Sequence, residues 1–366
     1  MASARTKSRK PPNTAFRQQR LKAWQPILTP KSVIPFFLVL VVIFAPLGIA
    51  ILHTIYNVQI LSVDYSTCND LSSSEFAAIP SKYTSHHLKK GGDPDFKWKW
   101  NNDTSTCQVQ FNIEQDIKPP IYLYYKLTNF FQNHRKYVEL LDLAQLKGEA
   151  VALDSIDSNC KPLKERDDKI IYPCGLIANS YFNDTFSDPV LLNAQSDELS
   201  LVYNMSTTGI LWALDRNHNY KLTKYNYTQI VPPPNWAKMF PNGYNSTNIP
   251  NLQEWEHLQN WMRVASLPSF FKLYSKNEKD TFTTGVYQVD IGYNYPTELF
   301  GGTKTLVITT NLIFGGRNLL LGVIYICVAV LCLVLGVAFL LQHLIKPRRI
   351  GDHNYLHGGN TFREAL

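Results

Sequence analysis

The sequence predicts a membrane protein in which two transmembrane α-helices flank a large, mainly antiparallel β exoplasmic domain with long loops and short helices. Three observations carry that expectation. Two uncharged apolar runs lie toward the ends of the 366-residue chain, basic residues gather outside them, and the stretch between them contains segments that alternate apolar with polar residues. Composition agrees. At 13% aromatic and 18% charged, the chain is too aromatic for a disordered protein and too polar for a many-spanning transporter.

The expected boundaries are 1–32 for an N-terminal arm, 33–55 for the first span, 56–317 for the large domain, 318–345 for the second span and 346–366 for a tail. The arm has eight Lys or Arg and no acid, and the tail has four bases against two acids. The formal charge of +7 is therefore misleading, because 24 bases face 27 acids in the middle. That slightly acidic domain argues against nucleic acid as a partner.

Each apolar run holds about 20 apolar residues, enough to cross a hydrocarbon core of about 30 Å. A cleaved signal peptide has a short start and a shorter apolar core. The long first run, after a 32-residue start, reads as a signal anchor that stays. The basic arm, and Lys346, Arg348 and Arg349 after the second run, place both termini in the cytosol by the positive-inside rule. Neither run carries a Lys, Arg, Asp or Glu, so the pair cannot line a polar path alone. Pro35 and Pro46 are expected to kink the first helix. Both helices are expected to pack against another membrane protein, with a simple anchor as the alternative reading. Gly-X-X-X-Gly is absent from both.

The middle meets the demands of an exoplasmic address. Five Asn-X-Ser/Thr sites, Asn102, Asn183, Asn204, Asn226 and Asn245, all lie between the runs. Four cysteines lie there too: Cys68, Cys107, Cys160 and Cys174. They allow three pairings, of which nearest neighbours, Cys68 with Cys107 and Cys160 with Cys174, are expected. Without a Cys-X-X-Cys, zinc is a weak alternative. Cys327 and Cys332 fall inside the second run and are read as packing residues.

Strand formers dominate Ile121–Leu127, Gly285–Tyr295 and Lys304–Ile313. Short helices are expected between Leu252 and Leu273, where apolar residues recur at helical spacing. Pro232, Pro233 and Pro234 mark a loop.

Catalytic motifs are missing: there is no Gly-X-Ser-X-Gly, no His-Glu-X-X-His, no phosphate-binding loop and no Asp-Lys-Thr-Gly-Thr. Asp168-Lys169-Ile170 stops matching the last after two residues. Gly301-Gly302-Thr303-Lys304-Thr305 reads as a hairpin turn, His86-His87 as a solvated loop, and Glu254 and Glu256 as a charged helix surface. No cofactor is expected.

The arm mixes Arg17, Arg20, Lys22 and Lys31 with Phe16, Leu21, Trp24, Ile27 and Leu28. Such a segment suits an anionic lipid surface or a protein partner. Pro26 and Pro30 favour an extended or broken course over a long amphipathic helix.

Asn13-Thr-Ala-Phe-Arg-Gln-Gln-Arg-Leu-Lys-Ala-Trp-Gln-Pro-Ile-Leu-Thr-Pro resembles the cytosolic signature of the cell division control protein 50 / ligand-effect modulator 3 family. The likeness continues through Tyr124–Val138, Pro173–Thr185, Trp261–Tyr274 and Gly285–Pro296. The resemblance implies an accessory (β) subunit of a type IV P-type ATPase, a phospholipid flippase. Such a subunit is non-catalytic and forms a heterodimer with the ATPase in the lipid bilayer. It helps the pump fold, leave the endoplasmic reticulum and move phosphatidylserine or a related phospholipid to the cytosolic leaflet. It also implies two disulfides, a glycan at Asn183, and a partner-binding arm whose contact residues are Asn13, Phe16, Arg17, Gln18, Gln19, Arg20 and Trp24. The final address (endoplasmic reticulum, Golgi, endosome or plasma membrane) would follow the pump. A stand-alone surface receptor shares the anchors and glycans but needs no arm motif, and an exoplasmic hydrolase needs a catalytic constellation.

Overall fold

The computed structural model describes residues 11–22, 28–89, 92–156, 158–193, 201–211, 218–310 and 318–347. The chain folds as two units, Met1–Thr54 with Leu319–Leu366, and Ile55–Asn318.

The first unit contains the two spans. One helix runs Pro30–Tyr56 and the other Leu320–Ile345. The first starts at a proline, whose missing N–H is lost to the helix ladder at that position anyway. Thr29 opens it: its carbonyl accepts the first helical bond, from Val33 N at 2.9 Å, and its own N–H donates to Ser32 Oγ at 3.2 Å. The helix continues through Pro35 and Pro46. Small residues bring the two backbones together. A Cβ on Gly322 would lie 2.6 Å from Leu52 Cδ2, and one on Gly48 would lie 2.9 Å from Ile326 Cδ1. Phe37 stacks on Phe339 at 5.9 Å, and Phe44 meets Tyr325 at 5.5 Å. Cys332 is buried and Cys327 is exposed on the bare apolar face of its helix. Most of each span remains exposed, with 11% and 17% of their most apolar windows buried. Bare apolar faces of that extent require lipid or protein around them.

The second unit is built of short and medium strands: β1 (Ile60–Asp64), β2 (Ala77–Ala78), β3 (Thr84–His87), β4 (Lys97–Asn101), β5 (Thr106–Ile113), β6 (Ile121–Leu127), β7 (Glu165–Arg166), β8 (Lys169–Ile171), β9 (Thr185–Phe186), β10 (Val190–Leu191), β11 (Leu201–Val202), β12 (Ile230–Val231), β13 (Phe270–Asn277), β14 (Gly285–Gly292) and β15 (Lys304–Thr309). One sheet has the order β13-β6-β15-β1-β3. A second has β11-β10-β14-β5-β4-β2, with β9 also on β14. A small third sheet, β12-β8-β7, contains a parallel pair, β12 with β8. All pairs in the two large sheets are antiparallel.

Period-two burial explains the long strands. In β5, Cys107, Val109, Phe111 and Ile113 point inward, and in β6 so do Ile121, Leu123, Tyr125 and Leu127. β14 places Tyr287 opposite Phe111, and their rings stack at 6.1 Å. Residues from both large sheets join one buried cluster. Disulfides tie this core: Cys68 to Cys107, and Cys160 to Cys174. Beside the second, Gly175 has φ +93°, and a Cβ there would lie 2.1 Å from Leu140 O, so only glycine fits.

Two expectations need correction here. The helical stretch between Leu252 and Leu273 narrows to Glu256–Met262, and Phe270 onward is strand β13. Its alternating burial satisfies the period of two better than the helical one. The expected strand from Lys304 ends at Thr309, and residues 311–317 lie outside the described ones.

Candidate functional site

His86, His87, Glu256 and Asp168 each have a structural place, and Glu254 is exposed. His86 and His87 belong to β3, on the edge of the five-stranded sheet, and not to a loop. His87 Nε2 lies 3.1 Å from Tyr56 O. Glu256 is not on a charged surface: it is 5% exposed, and its Oε2 accepts from Ile210 N at 2.9 Å. Asp168 is a turn residue with φ +58° between β7 and β8. No group of three His, Cys, Asp or Glu suited to a metal occurs among the described residues.

The Gly301–Thr305 stretch departs furthest from its sequence reading. It is no hairpin, because β14 and β15 lie in different sheets. Gly301, at φ +60°, ends a short 3-10 turn, and Lys304 then enters the core with no exposed surface. Lys304 Nζ pairs with Asp184 Oδ2 at 2.8 Å and donates to Tyr295 O at 2.8 Å. It also lies 3.3 Å from the centroid of the Tyr293 ring. Asp184 accepts from Tyr65 OH at 2.9 Å, and from the N–H groups of Asn294 and Tyr295. Every charge in the cluster is thus met by several partners, the condition under which a buried ion pair is tolerated. Burial lowers the Lys304 pKa, and the Asp184 carboxylate opposes that effect. Burial also raises the Tyr65 hydroxyl well above its usual range, with Asp184 adding to it. The cluster joins the end of β1, the Asn183–Thr185 glycosylation motif, the segment after β14 and the start of β15.

A second buried lysine acts at a helix end. Lys272 on β13 donates to Asn260 O at 2.7 Å and to Arg263 O, the last carbonyls of the Glu256–Met262 helix. A cation there satisfies groups the helix leaves unpaired. Burial lowers its pKa to about 7, and the Arg263 charge adds to the shift. Nearby, Trp261 Nε1 donates to Ile177 O at 2.9 Å and Trp236 Nε1 to Ala178 O at 2.8 Å, fixing the segment after Cys174.

The arm folds locally. Over Thr14–Arg20 the backbone turns, with Gln18 N donating to Thr14 O at 2.9 Å, Arg20 N to Ala15 O at 2.7 Å, and Gln19 at φ +54°. Among the expected contact residues, Asn13 and Arg20 bond each other through their side chains, and Gln18 Nε2 reaches Pro11 O at 3.3 Å. These three shape the turn. Phe16, 76% exposed, is presented by it, and Arg17 and Leu21 are exposed too. Trp24 lies outside the described residues.

Sequence reasoning missed the two buried lysines and Asp184. Asp184 was visible only as the middle residue of a glycosylation motif. The signal for Lys304 was the strand it opens, whose six residues, Lys304 included, are all buried.

Residues 51–349 match the model of the LEM3 (ligand-effect modulator 3) family / CDC50 family. The phospholipid-transporting ATPase accessory subunit CRF1 of Saccharomyces cerevisiae is 47% identical over 361 residues, covering 97% of this chain and 90% of the relative. The phospholipid-transporting ATPase accessory subunit CDC50 of Chaetomium thermophilum is 40% identical, covering 95% and 90%. The cell cycle control protein 50A of Mus musculus is 33% identical, covering 97% and 92%. With a family match across most of its length and relatives alike from end to end, this chain belongs to the LEM3/CDC50 family.

Proposed function

We propose that this chain is the non-catalytic accessory subunit of a type IV P-type ATPase that moves phospholipid to the cytosolic leaflet. The observation that carries the reading is the match, over nine-tenths of both chains, to proteins named phospholipid-transporting ATPase accessory subunits. The chemistry resides in the ATPase, and this chain binds it, stabilising the folded pump by linkage.

Three surfaces are assigned to that binding: the exposed apolar faces of the two spans, the large domain, and the arm with Phe16, Arg17 and Trp24 at its centre. Asn13, Gln18 and Arg20 hold the arm in its turn, with Gln19 at its left-handed position. Both termini are cytosolic and the large domain is exoplasmic, as the basic flanks favour. The domain boundaries remain those given above, with the first span extended to Pro30. Asn102, Asn183, Asn204, Asn226 and Asn245 carry glycans, and the two disulfides support folding and exit from the endoplasmic reticulum. The pump sets the final address among the endoplasmic reticulum, Golgi, endosome and plasma membrane.

Deleting the chain in its host and following a fluorescent phosphatidylserine analogue tests the reading. Inward transport falls and returns on re-expression. Transport at the original rate in the deletion would refute it, provided no second family member is expressed.

A further inference from the structure

Four of the five glycosylation asparagines, Asn102, Asn204, Asn226 and Asn245, stand exposed. Asn226 and Asn245 each accept a hydrogen bond from the backbone N–H two residues on, a compact local turn on open surface. Asn183 differs. It is half-buried between two anchored neighbours. Phe182 stacks on Tyr125 with centroids 3.9 Å apart and planes at 7°, and Asp184 is locked to Lys304. Asn294 Nδ2 reaches the Asn183 carbonyl at 3.3 Å. The Asn183 Oδ1 is sealed inside with no hydrogen-bond donor. Asn183 itself lines a cleft of about 320 Å³.

The cleft offers two kinds of surface. Tyr181, Leu299 and Phe300 supply apolar and aromatic walls, and Asn179 and Lys238 supply polar groups. Leu299 at the rim is 84% exposed, an apolar side chain left in water. Its volume is at the small end of the roughly 300–1,000 Å³ of ligand sites. A pyranose ring matches these walls: its C–H faces lie on aromatic and aliphatic groups, and its hydroxyls and acetamido group bond amides and ammonium.

We propose that the first N-acetylglucosamine of an Asn183 glycan is seated in this cleft, making it a structural component of the large domain instead of a free surface chain. This rests on the reading that Asn183 is glycosylated. In that attachment Asn183 Nδ2 bonds to the anomeric carbon of a lipid-linked pyrophosphate oligosaccharide. The bond from that carbon to the pyrophosphate breaks, and the amide releases a proton. The anchored neighbours Phe182 and Asp184 hold Asn183 at the cleft, so a sugar on its amide starts beside the cleft walls. Covering Leu299 with the ring removes apolar surface from water, which stabilises the folded domain.

The test uses the full chain purified with its ATPase. Glycopeptide mass spectrometry first gives occupancy at Asn183. Peptide-N-glycosidase release is then timed site by site on native and on denatured protein. The seated sugar is released at least about tenfold more slowly from native protein than from denatured protein, because the enzyme must wait for the cleft to open. Thr185→Ala, which removes the acceptor motif and leaves Asn183, lowers the melting temperature by about 2–4 °C. Thr185→Ser, which keeps the motif, restores it. An occupied Asn183 released equally fast from native and denatured protein, with Thr185→Ala melting as wild type, would overturn the seat while leaving the glycan. An unoccupied Asn183 would overturn both.

Discussion

Lys304 Nζ and Asp184 Oδ2 are 2.8 Å apart, and neither side chain has any exposed surface. Removing one partner leaves the other charge buried and unpaired. Asp184→Asn or Lys304→Met is therefore expected to destabilise the large domain by about 3–5 kcal/mol. Lys304→Met combined with Asp184→Asn recovers part of that loss, because no lone charge remains. Thermal unfolding of the three variants checks this. A double variant as unstable as the sum of the singles would mean that lost packing, and not the stranded charge, dominates.

The two disulfides close loops of different length, their cysteines being 39 and 14 positions apart in sequence. Loop-closure entropy assigns about 4 kcal/mol to Cys68–Cys107 and about 3 kcal/mol to Cys160–Cys174. Replacing each pair by serine should lower stability in that order. Both variants should accumulate in the endoplasmic reticulum, read from the maturation of their glycans.

Lys272 gives the domain a pH dependence with a definite sign. Burial holds its folded pKa at about 7, against about 10.4 for a lysine in the unfolded chain. Between those values the unfolded chain binds a proton that the folded chain does not, so stability rises with pH from about 7 toward 10 and is lowest below 7. Lys304, also lowered by burial, acts in the same direction. Lys272→Met should flatten, but not abolish, the rise in melting temperature between pH 7 and pH 9. An unchanged slope would show that Lys272 keeps its ordinary pKa.

The arm residues fall into two roles that mutations can separate. Phe16→Ala with Arg17→Ala removes presented side chains and should weaken ATPase association without changing the melting temperature of the large domain. Arg20→Ala breaks the bond to Asn13 and acts through the turn. Its effect should be smaller and should vanish when the turn is held by other means, such as a short covalent staple between positions 13 and 20. Equal losses from both variants would place Arg20 in the contact itself.

The spans, the long alternating strands and the nearest-neighbour cysteine pairs were legible because each follows a local rule of length, period or spacing. The buried lysines were not. Lys304 follows two glycines, the local pattern of a turn, and only the distant Asp184 explains its burial. Glu256 looked solvent-facing on a short helix, yet it accepts the backbone N–H of Ile210, 46 residues away. The segregation of β14 and β15 into different sheets is likewise set by long-range pairing, to β5 and β6 respectively. The two-residue strands are too short to carry a period at all.

The most direct measurement is the stoichiometry of what purifies with the tagged full-length chain from its own membranes in mild detergent. The account predicts one multi-span P-type ATPase per chain, with Phe16→Ala/Arg17→Ala reducing the yield. A chain that purifies alone, under conditions where the ATPase is soluble and intact, would contradict it.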